Sequence, residues 1–453
     1  MNKFVNDIDL TKGNLKRNLL LFTLPFFFAN LFNSFYSAID LIFIGQCADK
    51  YNIAAVSAGS TVMFAVNSII LGLATGGTIV IGQLIGAKSK DVGKSIKSFI
   101  TYMILVTVVA TSIMLALFYP MMKWMNLDDN TIGIARNYLL ILVLGIPFYT
   151  FYHTIGAIFK AKGNSSADFI FIGLTVIINL ILDAIFIIDF QWGAVGAALA
   201  TTLGEMIGAL FSLFYLIKVK FGYILPKGLD IDRSLYIDFA RCGGPIAIQD
   251  GLVIFSFAII LGVISIRGVD FTSAVGITDR VTSFGFAPLS AIGCAISTAT
   301  AQNMGAKNLD NVKQYVKYGT FMSIIAGVTL FTLMATFSYE FAWIFSGNEV
   351  EPRNIADLYI KSTALDLLVC TLVFPLNAVF MGSKHTVFAM SQNLITTFLF
   401  RLPIAVLFAL PLNLPMFVVG LAYPISTCFS LCMCLWFYKS NRWLKLGNVN
   451  QFE

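Results

Sequence analysis

Two carboxylates, Asp40 and Asp183, stand inside stretches of chain that are otherwise apolar: LPFFFANLFNSFYSAIDLIFIG around the first and FIFIGLTVIINLILDAIFII around the second. Each stretch is long enough to cross a hydrocarbon core of about 30 Å. An ionisable side chain at that depth is costly and marks an ion or substrate pathway by default, so both acids must face protein or a water-filled cavity. Two carboxylates sharing a poorly hydrated site cannot both stay ionised at low cost, which makes the pair a candidate proton carrier. The same oxygens suit Na⁺, a hard cation that favours oxygen ligands. Both ions are open on this reading.

The elements that must position these acids follow from composition. Of 453 residues, 58% are hydrophobic and only 12% charged, and the mean hydropathy is +0.82. That excludes a soluble globular protein with a polar surface. About twelve apolar stretches reach spanning length, so the expected fold is an all-α polytopic membrane protein rather than a barrel, whose strands would alternate polar and apolar residues. Basic residues fall on one side of a twelve-helix count: Lys12, Lys16 and Arg17, then Lys88 to Lys97, Lys160 and Lys162, Lys218 to Arg241, Lys307 to Lys317, Lys384, and Lys439 to Lys445. The positive-inside rule makes that side, and both termini, cytoplasmic, in a multi-pass plasma (inner) membrane protein. The net charge of +6 therefore reflects topology, and no basic, aromatic-interleaved patch points to nucleic acid. Residues 1–18 are polar, and the apolar run after them is too long for a signal-peptide core, so it is expected to stay as the first helix.

A segment recurs. GQLIGAKSKDVGK from Gly82 returns as AQNMGAKNLDNVK from Ala301, with Gln83, Gly86, Ala87, Lys88, Asp91 and Lys94 matched by Gln302, Gly305, Ala306, Lys307, Asp310 and Lys313. Pro25 has a counterpart in Pro245 and Phe159 in Phe380, so the chain is a duplicated half of about 220 residues. Six helices per half keep the copies parallel, a plan used by alternating-access transporters. The expected parts are an N-lobe over 1–217, a cytoplasmic linker over 218–241 and a C-lobe over 242–453. The repeat fails at the acids, since Asp40 is replaced by Ile260 and Asp183 falls on or near Ile404. Glue required by the architecture would recur in both halves, so the asymmetry argues for one ionisable site in one lobe.

These residues resemble the multidrug and toxic compound extrusion (MATE) family, within the larger class of multidrug, oligosaccharidyl-lipid and polysaccharide exporters. The likeness rests on the helix 1 stretch around Asp40, GQLIGAK, INLILD, GGPIAIQ, AQNMGAK and RLP, in order over nearly the whole chain. It implies twelve transmembrane helices in two pseudo-symmetric six-helix bundles around a V-shaped cleft. An Asp in helix 1 with Asn-x-x-x-Asp in helix 5 is similar to the DinF-like branch, whose N-lobe ion site would here be Asp40, Asn179 and Asp183, with a helix 6 Thr at Thr201. Na⁺ would sit at Asp40, Asn179 and Asp183. The four-residue spacing puts Asn179 and Asp183 on one helix face. Asp250 and Asp366 occupy the helices in which the NorM branch keeps its acids, but not its motif positions.

Other polar residues at membrane depth have two readings each. Tyr36, Tyr138 and His153 extend the polar network or are satisfied interior groups. Glu205, between Gly204 and Gly208, marks a close helix contact of the small-xxx-small kind or meets a cationic substrate. Asp279 and Arg280 are expected to pair with a buried charge, and Arg401 to pack between helices or bond backbone carbonyls. Pro25 removes a backbone hydrogen bond fifteen residues before Asp40, which either makes helix 1 a bending element or only shapes packing. Seven scattered cysteines are expected as free buried thiols. There is no P-loop, and neither His153 nor His385 neighbours a Cys or Glu at metal-ligand spacing. The expectation is a monomeric antiporter rather than an enzyme, with no cofactor beyond the coupling ion, H⁺ or Na⁺. It would export amphipathic, often cationic organic compounds while contacting membrane lipid. A flippase for lipid-linked saccharides, which would want membrane-depth Arg and Lys for pyrophosphate, is the alternative.

Overall fold

The computed structural model describes residues 7–47, 50–124, 129–218, 232–346 and 349–444, without the side chains of 35–47, 50, 54, 58, 122–124, 129 and 130. Among the described residues there is no strand. In a bilayer this is the solution that satisfies every backbone group within its own segment. The helices are α1 (Leu15–Cys47), α2 (Lys50–Gly86), α3 (Val92–Trp124), α4 (Asp129–Lys162), α5 (Ser165–Asp183), α6 (Gly193–Lys218), α7 (Arg233–Ser265), α8 (Val269–Gly305), α9 (Leu309–Thr336), the short α10 (Ser338–Ser346), α11 (Val350–Gly382), α12 (Thr386–Ile395), α13 (Leu402–Ala409), α14 (Met416–Gly420) and α15 (Ala422–Lys439). π-Helical turns at Ala184–Asp189 and Thr396–Arg401 follow α5 and join α12 to α13. Eleven described stretches are long and apolar enough to span, and α1, with 33 residues, adds the twelfth. The α12–α13 pair forms one span and α14–α15 another.

The chain forms two compact units: residues 1–8 with 31–247, and residues 9–30 with 248–453. In the first, α4 is the central helix, packed on α2, α3, α5 and α6; in the second, α11 takes that place against α8, α9 and α15. The duplication therefore extends to packing. The chain changes unit inside α1, after Asn30, and inside α7, after Ala247. Those points lie shortly beyond Pro25 and Pro245, and both helices run on through their prolines.

The repeated GAK segments close their helices alike. In the first copy the amide of Lys88 bonds Ile85 O at 3.0 Å and that of Ser89 bonds Leu84 O at 3.0 Å. In the second, Lys307 bonds Met304 O at 3.1 Å and Asn308 bonds Asn303 O at 2.8 Å. These are Schellman closures with a left-handed residue, Lys88 at φ 52° and Lys307 at φ 56°. Phe159 and Phe380 accept the matching bonds after α4 and α11, where the left-handed residue is Gly163 in one half and Lys384 in the other.

Two expectations are corrected here. Helix α7 begins at Arg233, so the last part of the expected linker, Arg233 to Arg241, is helical; residues 219–231 lie outside the described residues. Asp232 starts that helix by accepting from the amides of Ser234 at 2.9 Å and Leu235 at 3.4 Å. It also pairs with Lys94 at 2.9 Å, and the Lys94 and Ser234 side chains hold its pKa down at about 2. Of the six described cysteines, expected to be buried, only Cys242, Cys370 and Cys434 are; Cys294, Cys428 and Cys432 are exposed on their helices. Cys47 lies outside the described side chains.

Candidate functional site

The first unit builds its polar centre on the α5–α6 contact. Asn164 caps α5 by accepting from the amide of Ala167 at 3.0 Å, and α6 starts where Asn52 accepts from the amide of Ala194 at 2.8 Å. The helices approach closely because α6 presents glycines. A Cβ at Gly204 would stand 3.0 Å from Thr175 O and 3.2 Å from the Asn179 Cβ, and one at Gly208 would overlap the Thr175 hydroxyl. The small-residue pattern around Glu205 thus does what its spacing predicts.

That approach brings Asn179 and Thr201 together: Asn179 Nδ2 donates to Thr201 Oγ1 at 3.3 Å. The Asn179 carbonyl oxygen is buried and has no hydrogen-bond partner among the described residues. Asp183, one turn further along the same face, is completely buried. It is the last residue of α5 before the π turn at Ala184–Asp189, a local widening frequent at functional sites. A buried carboxylate, an orphaned amide oxygen and a hydroxyl form an all-oxygen donor set, suited to a hard cation or a proton. Asp40 and Tyr36 are in α1, but their side chains lie outside the described residues.

The other sequence candidates separate. Tyr138 shares a 2.9 Å hydrogen bond with Ser60, and its ring packs on Gly59, which fastens α4 to α2. His153 is buried with its ring against Tyr149 at 4.4 Å and Tyr152 at 4.3 Å. Glu205 turns toward α4, where a Cβ on Gly145 would be 3.1 Å from its Oε2. Asp250 and Asp366 belong to the second unit. Tyr149 escaped the sequence reading, although its spacing of four from His153 placed it on the same face.

In the second unit the repeat counterparts of the two acids sit in apolar packing. Ile260 is buried in an apolar cluster with Ile264, Val275, Ala405 and Met416, against which Ile404 packs. Arg401 closes the second π turn. It donates to Ser426 Oγ at 3.2 Å and lies over the Tyr423 ring at 5.0 Å, so it packs between helices through a hydroxyl and aromatic faces rather than carbonyls. The other buried charge expected to pair with Asp279 or Arg280 is not found among the described residues, where neither residue forms an ion pair.

The MatE family profile matches residues 25–185 and 245–407, one copy in each half and together more than half of the chain. Among curated relatives, the "Probable multidrug resistance protein YpnP" of Bacillus subtilis is 27% identical over 96% of this chain and 97% of its own length. YoeA of the same organism, with the same description, is 25% identical over 95% and 94%. A solved structure described as the outward-facing conformation of a multidrug resistance MATE family transporter superposes with a TM-score of 0.91, at 19% identity over 97% of this chain and 99% of that one. With a duplicated profile match, relatives aligned end to end and a shared fold, the chain is a multi-pass membrane protein of the MATE family.

Proposed function

We propose that this protein is a secondary antiporter, of the DinF-like type, that exports amphipathic, often cationic organic compounds by alternating access in exchange for H⁺ or Na⁺. The observation that carries the reading is the buried oxygen set of Asn179, Asp183 and Thr201, with the Asn179 carbonyl left open. Such a set gains from a cation or proton what it loses by burial, and nothing comparable stands at Ile260 and Ile404. Asp183 would carry the ion with Asp40, Asn179 and Thr201 would complete its coordination, and Pro25 would let α1 respond. The names of the relatives support the export of drugs. Ion and substrate need only bias one equilibrium between two access states in opposite directions. The protein would work as a monomer in the plasma membrane with both termini cytoplasmic, as its lysines suggest.

The test is efflux of a fluorescent organic cation from proteoliposomes under an imposed H⁺ gradient and, separately, a Na⁺ gradient, with wild type beside Asp183→Asn and Asp40→Asn. Gradient-driven efflux that vanishes in both variants establishes the antiporter and names its ion. Efflux surviving in both moves the coupling site elsewhere, with Asp250 and Asp366 next. No efflux under either gradient favours a lipid-linked saccharide flippase.

A further inference from the structure

A second set of buried polar groups in the same unit has no part in that oxygen set. On α4, positions 145, 149, 153, 156 and 160 follow at spacings of three or four and line one face. Each meets a polar group. Gly145 faces Glu205 Oε2; Tyr149, one turn along from Gly145, packs its ring on Tyr152 at 5.6 Å; His153 packs its ring against Tyr149 and Tyr152. Gly156 is pressed against Asp168 Oδ1, and Lys160 pairs with the other oxygen of Asp168 at 3.2 Å.

The set is under-satisfied. His153 Nδ1 and Asp168 Oδ1 are buried without hydrogen-bond partners, in residues only 6% and 2% exposed. No hydrogen bond or ion pair joins Glu205 to another described residue. A network kept for stability satisfies its members, and an unpaired acid at membrane depth is functional by default. On α6, Glu205 follows Thr201 by four residues, which places it one turn beyond the oxygen set on the same face. At the other end, Asp168 and Lys160 flank the turn between α4 and α5.

We propose that Glu205, Tyr149, His153 and Asp168 form a proton relay between the Asn179–Asp183–Thr201 set and the α4–α5 turn. This rests on the proton-coupled form of the antiporter reading. A proton on the Glu205 carboxyl passes to Tyr149 Oη as the Tyr149 hydroxyl proton moves on. His153 accepts it at one ring nitrogen and releases another from the second. The Asp168 carboxylate receives that proton and yields it to solvent at the turn. Glu205 ends one proton poorer, bulk water one richer, and every group between is unchanged. Gaps wider than a hydrogen bond are spanned by water. The titratable groups that contacts place along this path are Glu205 from α6 at Gly145, Asp168 from α5 at Gly156, and Tyr152 and Lys160 on α4, with Lys160 paired to Asp168 at 3.2 Å.

The experiment compares wild type, Asp183→Asn, Tyr149→Phe, His153→Phe and His153→Ala in proteoliposomes, reading H⁺-driven efflux of the dye and, in detergent, dye binding as the check on folding. Tyr149→Phe removes a single oxygen and keeps the ring. The relay predicts dye binding as in wild type, efflux at least about tenfold slower in both Phe variants, in line with the usual weight of a positioned acid or base, and partial recovery of His153→Ala by added imidazole. Wild-type rates in both Phe variants, with efflux abolished in Asp183→Asn, overturn the relay and leave the ion site standing. Absence of proton-driven efflux in wild type overturns the relay, and absence of Na⁺-driven efflux as well overturns the ion site with it. Loss of dye binding in Tyr149→Phe makes this face a substrate contact and also overturns the relay.

Discussion

Asn179 Nδ2 and Thr201 Oγ1 meet at 3.3 Å across the α5–α6 contact, one turn from the buried Asp183. The bond holds the amide so that its carbonyl, rather than its NH₂, is left open. Thr201→Val keeps the shape and removes the hydroxyl. We expect the coupling-ion concentration for half-maximal efflux to rise about tenfold, or about 1.4 kcal/mol. An unchanged value would take Thr201 out of the site.

The geometry of that set depends on Gly204. With Thr175 O and the Asn179 Cβ at 3.0 and 3.2 Å from any added Cβ, Gly204→Leu must push α5 and α6 apart, at about 1–3 kcal/mol. The midpoint of thermal unfolding in detergent should fall, and ion-dependent efflux should fall with it. A variant as stable and as ion-responsive as wild type would mean that the contact does not set the site.

His385 lies in the turn between α11 and α12, where burial lowers its pKa despite the bond to Ser383 O. The folded protein therefore binds fewer protons there than the unfolded chain. The stability it contributes is complete above the unfolded value of about 6.5 and is lost as pH falls below that. Thermal unfolding between pH 7.5 and 5 should show wild type losing stability relative to His385→Gln; parallel curves would refute this.

Asp232 behaves in the same direction at lower pH. With its pKa held down at about 2 by Lys94 and Ser234, its contribution is whole above about pH 3.9 and disappears as pH drops toward 2. Acid unfolding of Asp232→Asn should converge with wild type below about pH 2 and diverge above about pH 4. Constant separation would show that the carboxylate does not titrate with folding.

The α4–α5 turn tolerates only glycine at 163, where φ is +95° and a Cβ would overlap the Ile8 carbonyl. Gly163→Ala should destabilise by about 1–2 kcal/mol, while Lys384→Gly at the equivalent turn, φ 64°, should not. Equal melting points for the two variants would contradict that difference.

Much of this was legible in the sequence because of what bilayers demand. Spanning length revealed the helices, and shared identities such as Gln83 with Gln302 revealed turns that close with the same hydrogen bonds. The face shared by Asn179 and Asp183 followed from a spacing of four. Residues whose structure depends on three-dimensional neighbours were not legible. Arg233 to Arg241 read as linker because charge ends an apolar run, yet a helix can continue past the membrane when Asp232 caps it. An ion at membrane depth wants a counter-charge, so Asp279 and Arg280 read as partners of another buried charge; whether the packed helices supply one is not written in their own segment. The ladder on α4 was hidden among 42 phenylalanines and 16 tyrosines, where one more aromatic position carries no signal.

The π turns after Asp183 and before Leu402 each hold one residue more than an α-helix needs over the same rise. Removing a single residue from either would restore a regular α-helix and leave the faces on both sides nearly in register, whereas the same deletion in a plain α-helix rotates everything beyond it by about 100°. In the first span the segment beyond Asp189 would keep its face relative to Asp183; in the second, the segment from Leu402 would keep its face relative to Ile395. These spans are therefore where one-residue gaps belong when the chain is aligned with its relatives, inside the membrane rather than in a loop. A deletion there would be absorbed by the widened turn, with the faces on either side left in place.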